Sequence, residues 1–119
     1  MIYSQSTGIL KKDNGEILGQ GYSGHGVGKN NPEMQSVKNV GPIPEGNYQL
    51  GKPFNSDHTG DYSIPLIPDP ENEMYGRSQF LCHGDDREHP GEASLGCIIQ
   101  SRLVRQTMIA CGERLKVTK

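Results

Sequence analysis

The sequence predicts a mainly β fold with one short helix near its C-terminus. Sixteen glycines and eight prolines in 119 residues place much of the backbone in turns, which argues against a helical bundle. Only 32% of the residues are hydrophobic and there is no tryptophan, so the core is expected to be modest. The length fits one domain, and residues 1–119 are therefore predicted to form a single unit.

Short strands are predicted along most of the chain. Residues 2–10 and 16–22 form two predicted strands around Asn14-Gly15, a dipeptide typical of tight hairpins. Residues 23–41 are rich in glycine and asparagine and predict a long loop, and a loop of that length is more often functional than idle. Further strands are predicted over 47–52, 61–67 and 79–83.

The C-terminal segment changes to a helical pattern. Apolar side chains recur at helical spacing over 101–111, and Gly112 is placed to end the helix in the left-handed conformation. Leu115 and Val117 then alternate with polar residues in a last short strand. The predicted apolar face holds Leu103, Val104, Thr107, Met108 and Cys111, and the opposite face holds Arg102, Arg105 and Gln106.

The charge pattern argues against two classes of partner. The formal net charge of −2 comes from 12 basic and 14 acidic residues that are well mixed, so no basic patch predicts binding to nucleic acid or to an anionic membrane. No apolar run approaches the roughly 20 residues needed to span a bilayer. The N-terminal segment MIYSQSTGILKK lacks the features of a Sec signal peptide, so export is expected by a route that does not read one, if the chain leaves the cytoplasm.

The stretch HGDDREHPGEASLGCI, residues 83–98, combines a histidine at the end of a predicted strand with a cysteine after a polar loop. A cysteine attacks as the thiolate, so a catalytic one needs a proton acceptor such as His83. Gly96 leaves Cys97 open to a substrate, and the backbone amides of these two residues are candidates to face a developing oxyanion. Cys82 is expected to face away from His83 on the strand, and Cys111 lies on the apolar face of the helix. Cys97 is therefore the predicted nucleophile.

Several other interpretations stay open from the residues alone. Cys97 also fits a small buried thiol in a non-catalytic β-rich binding or adaptor module. A zinc site built from Cys82, His83, His89 and Cys97 is a weaker alternative, because its spacings match no familiar ligand pair. His89 is close enough in sequence to be a second candidate base. A cysteine peptidase acting on proteins is a further possibility.

Three motifs resemble the catalytic domain of L,D-transpeptidases, the YkuD-like family. His83-Gly84 is similar to the family's His-Gly at a strand end, and the segment 94–98, Ser-Leu-Gly-Cys-Ile, to its Ser/Thr-His-Gly-Cys motif. The segment 44–48, Pro-Glu-Gly-Asn-Tyr, is similar to its Pro-x-Gly-x-Tyr/Phe element. Leu95 departs from the pattern, because the family has a histidine there. The segments 21–48, 64–85 and 93–98 more narrowly resemble the small L,D-transpeptidase effectors delivered by type VI secretion.

The resemblance implies a compact YkuD-like domain, sandwich- or barrel-like, that acts as a cysteine acyl-transferase without a metal or an organic cofactor. The implied substrate is the peptidoglycan stem peptide, attacked between its third residue and the terminal D-Ala, with an amine or water as acceptor. The resemblance to the effectors also implies secretion, action in the periplasm of a target cell, and an immunity protein in the producing cell.

Two sets of site residues follow from the motifs and their resemblance. Leu95 removes the second histidine of the wider family, so His83 is the favoured base and His89 the second choice. A guanidinium pairs with a carboxylate through two hydrogen bonds, although each arginine chosen on that ground also fits a solvated surface position. Ser94 fits a structural role in its loop about as well as a role in the site. The candidate catalytic residues are Cys97, His83, Gly96 and Ser94, and the candidate substrate-binding residues are Gly84, Arg77, Arg102 and Tyr22.

Overall fold

The computed structural model describes all residues, 1–119, and contains ten strands, one α helix and two short 3₁₀ helices. The helix α1 spans Arg102–Cys111, and the 3₁₀ helices span Gly26–Gly28 and Pro32–Met34. The strands are β1 (Ile2–Ser4), β2 (Ile9–Lys11), β3 (Ile17–Gln20), β4 (Tyr22–Ser23), β5 (Gly46–Leu50), β6 (Phe54–Ser56), β7 (Gly60–Pro68), β8 (Leu81–His83), β9 (Ile98–Ile99) and β10 (Leu115–Thr118).

The strands form one ten-stranded mixed sheet, which confirms the predicted mainly β fold with a helix near the C-terminus. The spatial order is β3-β2-β1-β10-β5-β7-β8-β9-β4, and β6 pairs with β7 beside this path. The pairs β1–β10 and β8–β9 are parallel, and the other pairs are antiparallel. No helix of the fold has the length and apolar character needed to cross a bilayer.

The N-terminal segment forms two short strands where the sequence predicts one. The prediction of a single strand over 2–10 is wrong, because the chain turns at 5–7 and β1 pairs with β2. Gly8 makes this reversal feasible: its φ is +72°, and a Cβ there would lie 1.9 Å from the carbonyl oxygen of Gly21. The second hairpin, β2–β3 around Asn14-Gly15, is confirmed.

The remaining strands occur where apolar runs predict them, with shifted ends. The strand predicted over 61–67 extends to 60–68, and the one predicted over 79–83 shortens to Leu81–His83. Strands β6 and β9 were not predicted, because three and two residues are too few to show an alternating pattern. Of the predicted loop over 23–41, only Ser23 belongs to a strand, and the two 3₁₀ helices lie inside it.

The helix α1 is confirmed, but its predicted faces are partly wrong. Ser101 caps the N-terminus by accepting a hydrogen bond from the Val104 amide at 3.2 Å, and Gly112 ends the helix with a φ of +67°. Leu103, assigned to the apolar face, is 73% exposed, whereas Arg105, assigned to the polar face, is buried. The buried face is centred on Met108, which packs in the core.

The core lies between α1 and one face of the sheet. Tyr3, Tyr48, Ile64, Ile98 and Met108 are among its fully buried members. Cys82 belongs to the same cluster, with its Sγ 3.8 Å from the Sδ of Met108. The prediction that Cys82 faces away from the site is therefore confirmed.

We expect Gly21→Ala to destabilise the fold by about 3 kcal/mol or more, because a Cβ at this position would lie 1.6 Å from the carbonyl oxygen of Ile99. Gly15→Ala is the matched control: a Cβ there meets nothing within 4 Å, so only its positive φ contributes, at a cost of about 1 kcal/mol. Urea denaturation of both variants measures the difference, and equal losses of stability would contradict the close approach of β9.

Candidate active site

The candidate site depends on the parallel pair β8–β9. Cys82 lies opposite Ile98 in this pair, and His83 lies opposite Ile99. Cys97 lies two residues before Ile99, just ahead of β9. The fold thus brings the predicted nucleophile and the predicted base to adjoining segments at this strand pair.

Cys97 immediately precedes β9 and lines a cleft of about 370 Å³. It is half-buried, and its Sγ accepts a hydrogen bond from the Leu81 amide at 3.3 Å. The amide of Cys97 itself makes no hydrogen bond to another protein group. The polar side chains that line the cleft are Lys38, Asn39, Arg77, Ser78 and Gln79.

Two opposing effects act on the Cys97 thiol. Burial raises its pKa, whereas the Leu81 amide and the Arg77 guanidinium lower it, and the pKa remains above its ordinary value. The resting side chain is therefore a thiol at neutral pH, and a base is needed to generate the nucleophile. An N–H donor and a cation beside the sulfur would both stabilise the thiolate once it forms.

His83 has the tautomer of a proton acceptor. Its Nδ1 lies 2.8 Å from the Gly84 carbonyl oxygen, which can only accept, so Nδ1 carries the proton and Nε2 the lone pair. Nε2 makes no hydrogen bond within the protein. Burial is the largest effect and lowers the pKa of His83, whereas the hydrogen bond to the Gly84 carbonyl opposes it; the Arg105 guanidinium lowers the pKa further, and Asp85 raises it slightly. The imidazole is therefore neutral at pH 7.

The side chains of His83 and Cys97 belong to adjoining segments of the chain, and neither is among the groups that shift the pKa of the other. No hydrogen bond joins them. One strand spacing and two residues of rise separate their backbone positions, which amounts to about 8 Å between Cα atoms in regular sheet geometry. Proton transfer between them therefore requires a bridging water or a rotamer change that closes the gap.

Ser94 is a fully buried hub of the turn before Cys97. Its Oγ donates to the Cys97 carbonyl at 2.6 Å and accepts from the amides of Gly24 and Gly96 at 2.9 and 3.0 Å. The amide of Gly96 is thus already engaged, which contradicts its predicted part in an oxyanion hole. The free amide of Cys97 is the remaining candidate donor from that pair.

Arg77 is a buried cation that lines the Cys97 cleft, and the bonds it already makes disfavour its predicted role as a clamp for substrate carboxylates. Its guanidinium is bound to backbone carbonyls, and no carboxylate pairs with it. The cation instead joins the long loop to the Cys97 turn. Nη1 donates to Gln35 and Pro42 at 2.6 and 2.8 Å, and Nη2 donates to Gly41 and Leu95 at 3.0 and 3.4 Å.

The other predicted binding residues lie outside the Cys97 cleft. Arg102 and Gly84 line a second cleft at the opposite ends of β8 and β9. Tyr22 is buried, and its hydroxyl donates to Asp85 at 2.6 Å and accepts from the Ala93 amide at 2.9 Å. Burial and the Asp85 carboxylate raise the pKa of Tyr22 well above its usual range. Tyr22 therefore ties down the loop 84–93 and makes no contact with the cleft.

His89 and the zinc alternative do not fit the geometry. The side chain of His89 is 63% exposed, and its Nδ1 lies 3.6 Å from Asp86 Oδ2. Cys82 faces the core, on the opposite face from His83, so these two cannot share an ion. No group of three or more histidine, cysteine, aspartate or glutamate side chains lies close enough to hold a metal.

Sequence reasoning missed two residues that organise the site. Asp85 accepts hydrogen bonds from Tyr22 and from the amides of Asp86 and Gly91, and so closes the loop after His83. In the sequence, only the position of Asp85 directly after His83-Gly84 could have indicated this role. The Arg105 guanidinium lowers the pKa of His83. The helical pattern of the sequence had predicted Arg105 on the polar face of the helix, so this role was missed.

The family model of the Tlde1 domain matches residues 18–118, which include every residue of the candidate site. The chain belongs to the Tlde1 domain family. This family comprises L,D-transpeptidase effectors of type VI secretion, so the Tlde1 domain described here is L,D-transpeptidase-like. No curated protein and no solved structure matches the chain.

We expect iodoacetamide to modify Cys97 of the Tlde1 domain faster than Cys82, because Cys82 is fully buried and burial raises its pKa to about 12. Since the pKa of Cys97 is also raised, its rate of modification should keep increasing above pH 8.5 instead of levelling off. Peptide mass spectrometry measures both rates, and the unfolded chain serves as the control. A modification rate that levels off below pH 8 would contradict burial as the largest effect on the pKa of Cys97.

We expect Ser94→Ala to lower the free energy of unfolding by about 2–3 kcal/mol, because three buried hydrogen bonds lose their partner. Ser36→Ala, at an exposed position, is the control and should change stability by less than about 0.5 kcal/mol. Urea denaturation distinguishes the two, and similar small changes would show that Ser94 does not hold the turn.

Proposed function

We propose that the chain is a cysteine acyl-transferase that acts on peptidoglycan stem peptides, with Cys97 as the nucleophile. The observation that carries this proposal is the setting of Cys97 in a chain of the Tlde1 family. The sulfur lies in an open cleft, accepts a hydrogen bond from the Leu81 amide and lies near the Arg77 cation. Of the other two cysteines, Cys82 is in the core and Cys111 is on the helix α1.

The first step of the proposed reaction is proton transfer. His83 Nε2 takes the proton of the Cys97 thiol, directly or through one water, and the Gly84 carbonyl holds the imidazole in the required tautomer. The thiolate is then stabilised by the Leu81 amide and by the Arg77 cation. A neutral histidine with a lowered pKa suits this step because its lone pair is available at pH 7.

The thiolate then attacks the carbonyl carbon between the third residue of the stem peptide and the terminal D-Ala. The Cys97 amide donates to the oxyanion, an interaction that typically contributes about 10²–10³ in rate. The C–N bond breaks, His83 returns the proton to the leaving D-Ala amine, and a thioester remains. Attack by an amine gives transpeptidation or D-amino-acid exchange, and attack by water gives carboxypeptidase activity. None of these steps uses a metal or an organic cofactor.

The cleft around Cys97 suits a polar peptide. Lys38, Asn39, Ser78 and Gln79 present a cation and hydrogen-bonding groups at its walls. Because Arg77 is bound to backbone carbonyls, Lys38 is the cation left to pair with a substrate carboxylate in this cleft. Lys38 therefore takes the part that the sequence assigned to Arg77.

The family supports a biological setting for this chemistry. As a type VI secretion effector, the chain would act on peptidoglycan in the periplasm of a target bacterium, and the producing cell would hold an immunity protein against it. Residues 1–119 would act as one catalytic unit, because β1 and β2, which precede the family match, are hydrogen-bonded into the same sheet.

One observation favours a second candidate, a non-catalytic binding module with a structural cysteine. The imidazole of His83 is not bonded to the Cys97 sulfur, and the thiol has a raised pKa. A binding module would hold stem peptides without releasing D-Ala, whereas the proposed enzyme releases or exchanges it. A protein-directed cysteine peptidase would instead hydrolyse casein.

We expect the protein to release or exchange D-Ala from a stem tetrapeptide and to leave casein intact. Cys97→Ala should abolish the reaction, and His83→Gln should lower kcat about 10²–10⁴-fold through loss of the base. Cys111→Ala is the matched cysteine control and should retain activity. Mass spectrometry of the muropeptides measures the products.

The base assignment has its own control. His89→Gln should retain activity, because this imidazole is 63% exposed and lies against the Asp86 carboxylate. Loss of activity in His89→Gln with retention in His83→Gln would move the base to His89. Absence of any D-Ala release by the wild-type protein would overturn the enzyme proposal in favour of the binding module.

A further inference from the structure

A second cleft, of about 320 Å³, lies at the ends of β8 and β9 opposite to Cys97. None of its lining side chains is hydrophobic, and three of them are arginines: Arg87, Arg102 and Arg105. Gly84 and Ser101 form part of its wall, where β8 ends and the helix α1 begins. We call this site the arginine cleft.

Arg105 is a buried cation within this cleft, with 5% of its surface exposed. Its Nε donates to the carbonyls of Gln100 and Ser101 at 3.1 and 3.3 Å. Its Nη1 donates to the carbonyls of Asp61 and Tyr62 at 2.9 and 2.8 Å. Two of the three guanidinium nitrogens are therefore held by the backbone, which fixes the direction of the third.

The third nitrogen, Nη2, makes no hydrogen bond to the protein and faces Gly84. A Cβ at Gly84 would lie 2.9 Å from Nη2, so the glycine leaves open the space in front of this nitrogen. No ion pair includes Arg105. A guanidinium that is stabilised by backbone carbonyls, with no carboxylate partner, thus presents one free donor to the cleft.

Asp61 and Asp85 line the cleft with the three arginines, and they reduce its positive charge without cancelling it. Asp61 lies 4.0 Å from Arg102, and both side chains are more than half exposed, so this pair contributes little. The Asp85 carboxylate is engaged by the Tyr22 hydroxyl and the Gly91 amide. Arg87 has no acidic partner within ion-pair distance. The cleft therefore offers a guanidinium donor and two further cations to an anion.

We propose that the arginine cleft binds a carboxylate of the stem peptide, with Arg105 Nη2 donating to it and with Arg87 and Arg102 pairing with it from the rim. A guanidinium N–H and a carboxylate oxygen form a charge-assisted hydrogen bond, which is stronger than a neutral one. The identity of the peptide rests on the proposed function, whereas the anion site rests on the cleft alone.

The position of the cleft fits an extended peptide. Four residues of strand separate Cys97 from Ser101, which is about 13 Å at a rise of about 3.3 Å per residue. The bond that Cys97 would attack is the last one of a stem tetrapeptide, and the three residues before it span about 10 Å when extended. A peptide that extends from Cys97 along the sheet therefore approaches the arginine cleft, which would select for a free carboxylate on the residues before that bond.

The test is a titration of the full-length chain carrying Cys97→Ala, followed by the backbone amide NMR signals of Gly84, Ser101 and Arg102. The probes are a stem tetrapeptide, the same peptide with its carboxylates converted to amides, and inorganic phosphate. We expect the tetrapeptide to shift these signals and the amidated peptide to bind at least tenfold more weakly. Phosphate that shifts the signals when the tetrapeptide does not would overturn the assignment to a peptide carboxylate.

Variants of the two rim arginines, Arg87 and Arg102, test whether these residues bind the peptide, and they leave the buried Arg105 in place. Arg87→Gln combined with Arg102→Gln should raise the Kd of the tetrapeptide at least tenfold. Gly84→Ala should also raise it, because the added methyl group occupies the space in front of Nη2. Lys116→Gln, on the exposed side of β10 three strands away, is the matched charge control and should change the Kd less than twofold.

Failure of the inference is distinguishable from failure of the proposed enzyme activity. Release of D-Ala by the wild-type protein, with no carboxylate-dependent shifts at Gly84, Ser101 and Arg102, would overturn the arginine cleft and leave the nucleophile in place. Carboxylate-dependent shifts without D-Ala release would support the cleft and overturn the nucleophile. Equal weakening by Lys116→Gln and by the rim variants would also overturn the cleft.

Discussion

The parallel pairing of β8 with β9 is the constraint on which the site depends. The register that places Cys82 opposite Ile98 sends those two side chains into the core, and it places His83 opposite Ile99, two residues after Cys97. A shift of the register by one residue would move one of the two strands' buried side chains out of the core. The core therefore specifies the register, and the register sets the spacing between His83 and Cys97 along the strand pair.

The same strand pair creates two clefts, one at each end. The Cys97 cleft opens where β8 and β9 begin, and the arginine cleft opens where they end. His83 lies between them, bonded to Gly84 and close to the Arg105 charge. The two charges that shift the pKa of His83, Arg105 and Asp85, both line the arginine cleft.

Two buried arginines give the loops around the site their shape. Arg77 joins the long loop over 23–41 to the turn before Cys97, and Arg105 joins the helix α1 to β7. Each guanidinium is surrounded by backbone carbonyls and none of its partners is a carboxylate. The desolvation of a charge costs several kcal/mol, and here the carbonyl dipoles offset it. The net positive charge remains available to stabilise a thiolate at one site and an anion at the other.

The sequence by itself determined the mainly β class, the Asn14-Gly15 hairpin, the helix ending at Gly112, and the stretch from His83 to Cys97 as the candidate site. These features are local, because turn chemistry, helical periodicity and the spacing of a motif are set by residues near one another in the chain. Only the tertiary structure decided that Arg77 and Arg105 are buried, that Ser94 holds the Cys97 turn, and that Arg102 lies away from the sulfur. The partners of these side chains are backbone groups up to 70 residues away in the sequence, and no local pattern encodes a contact of that kind.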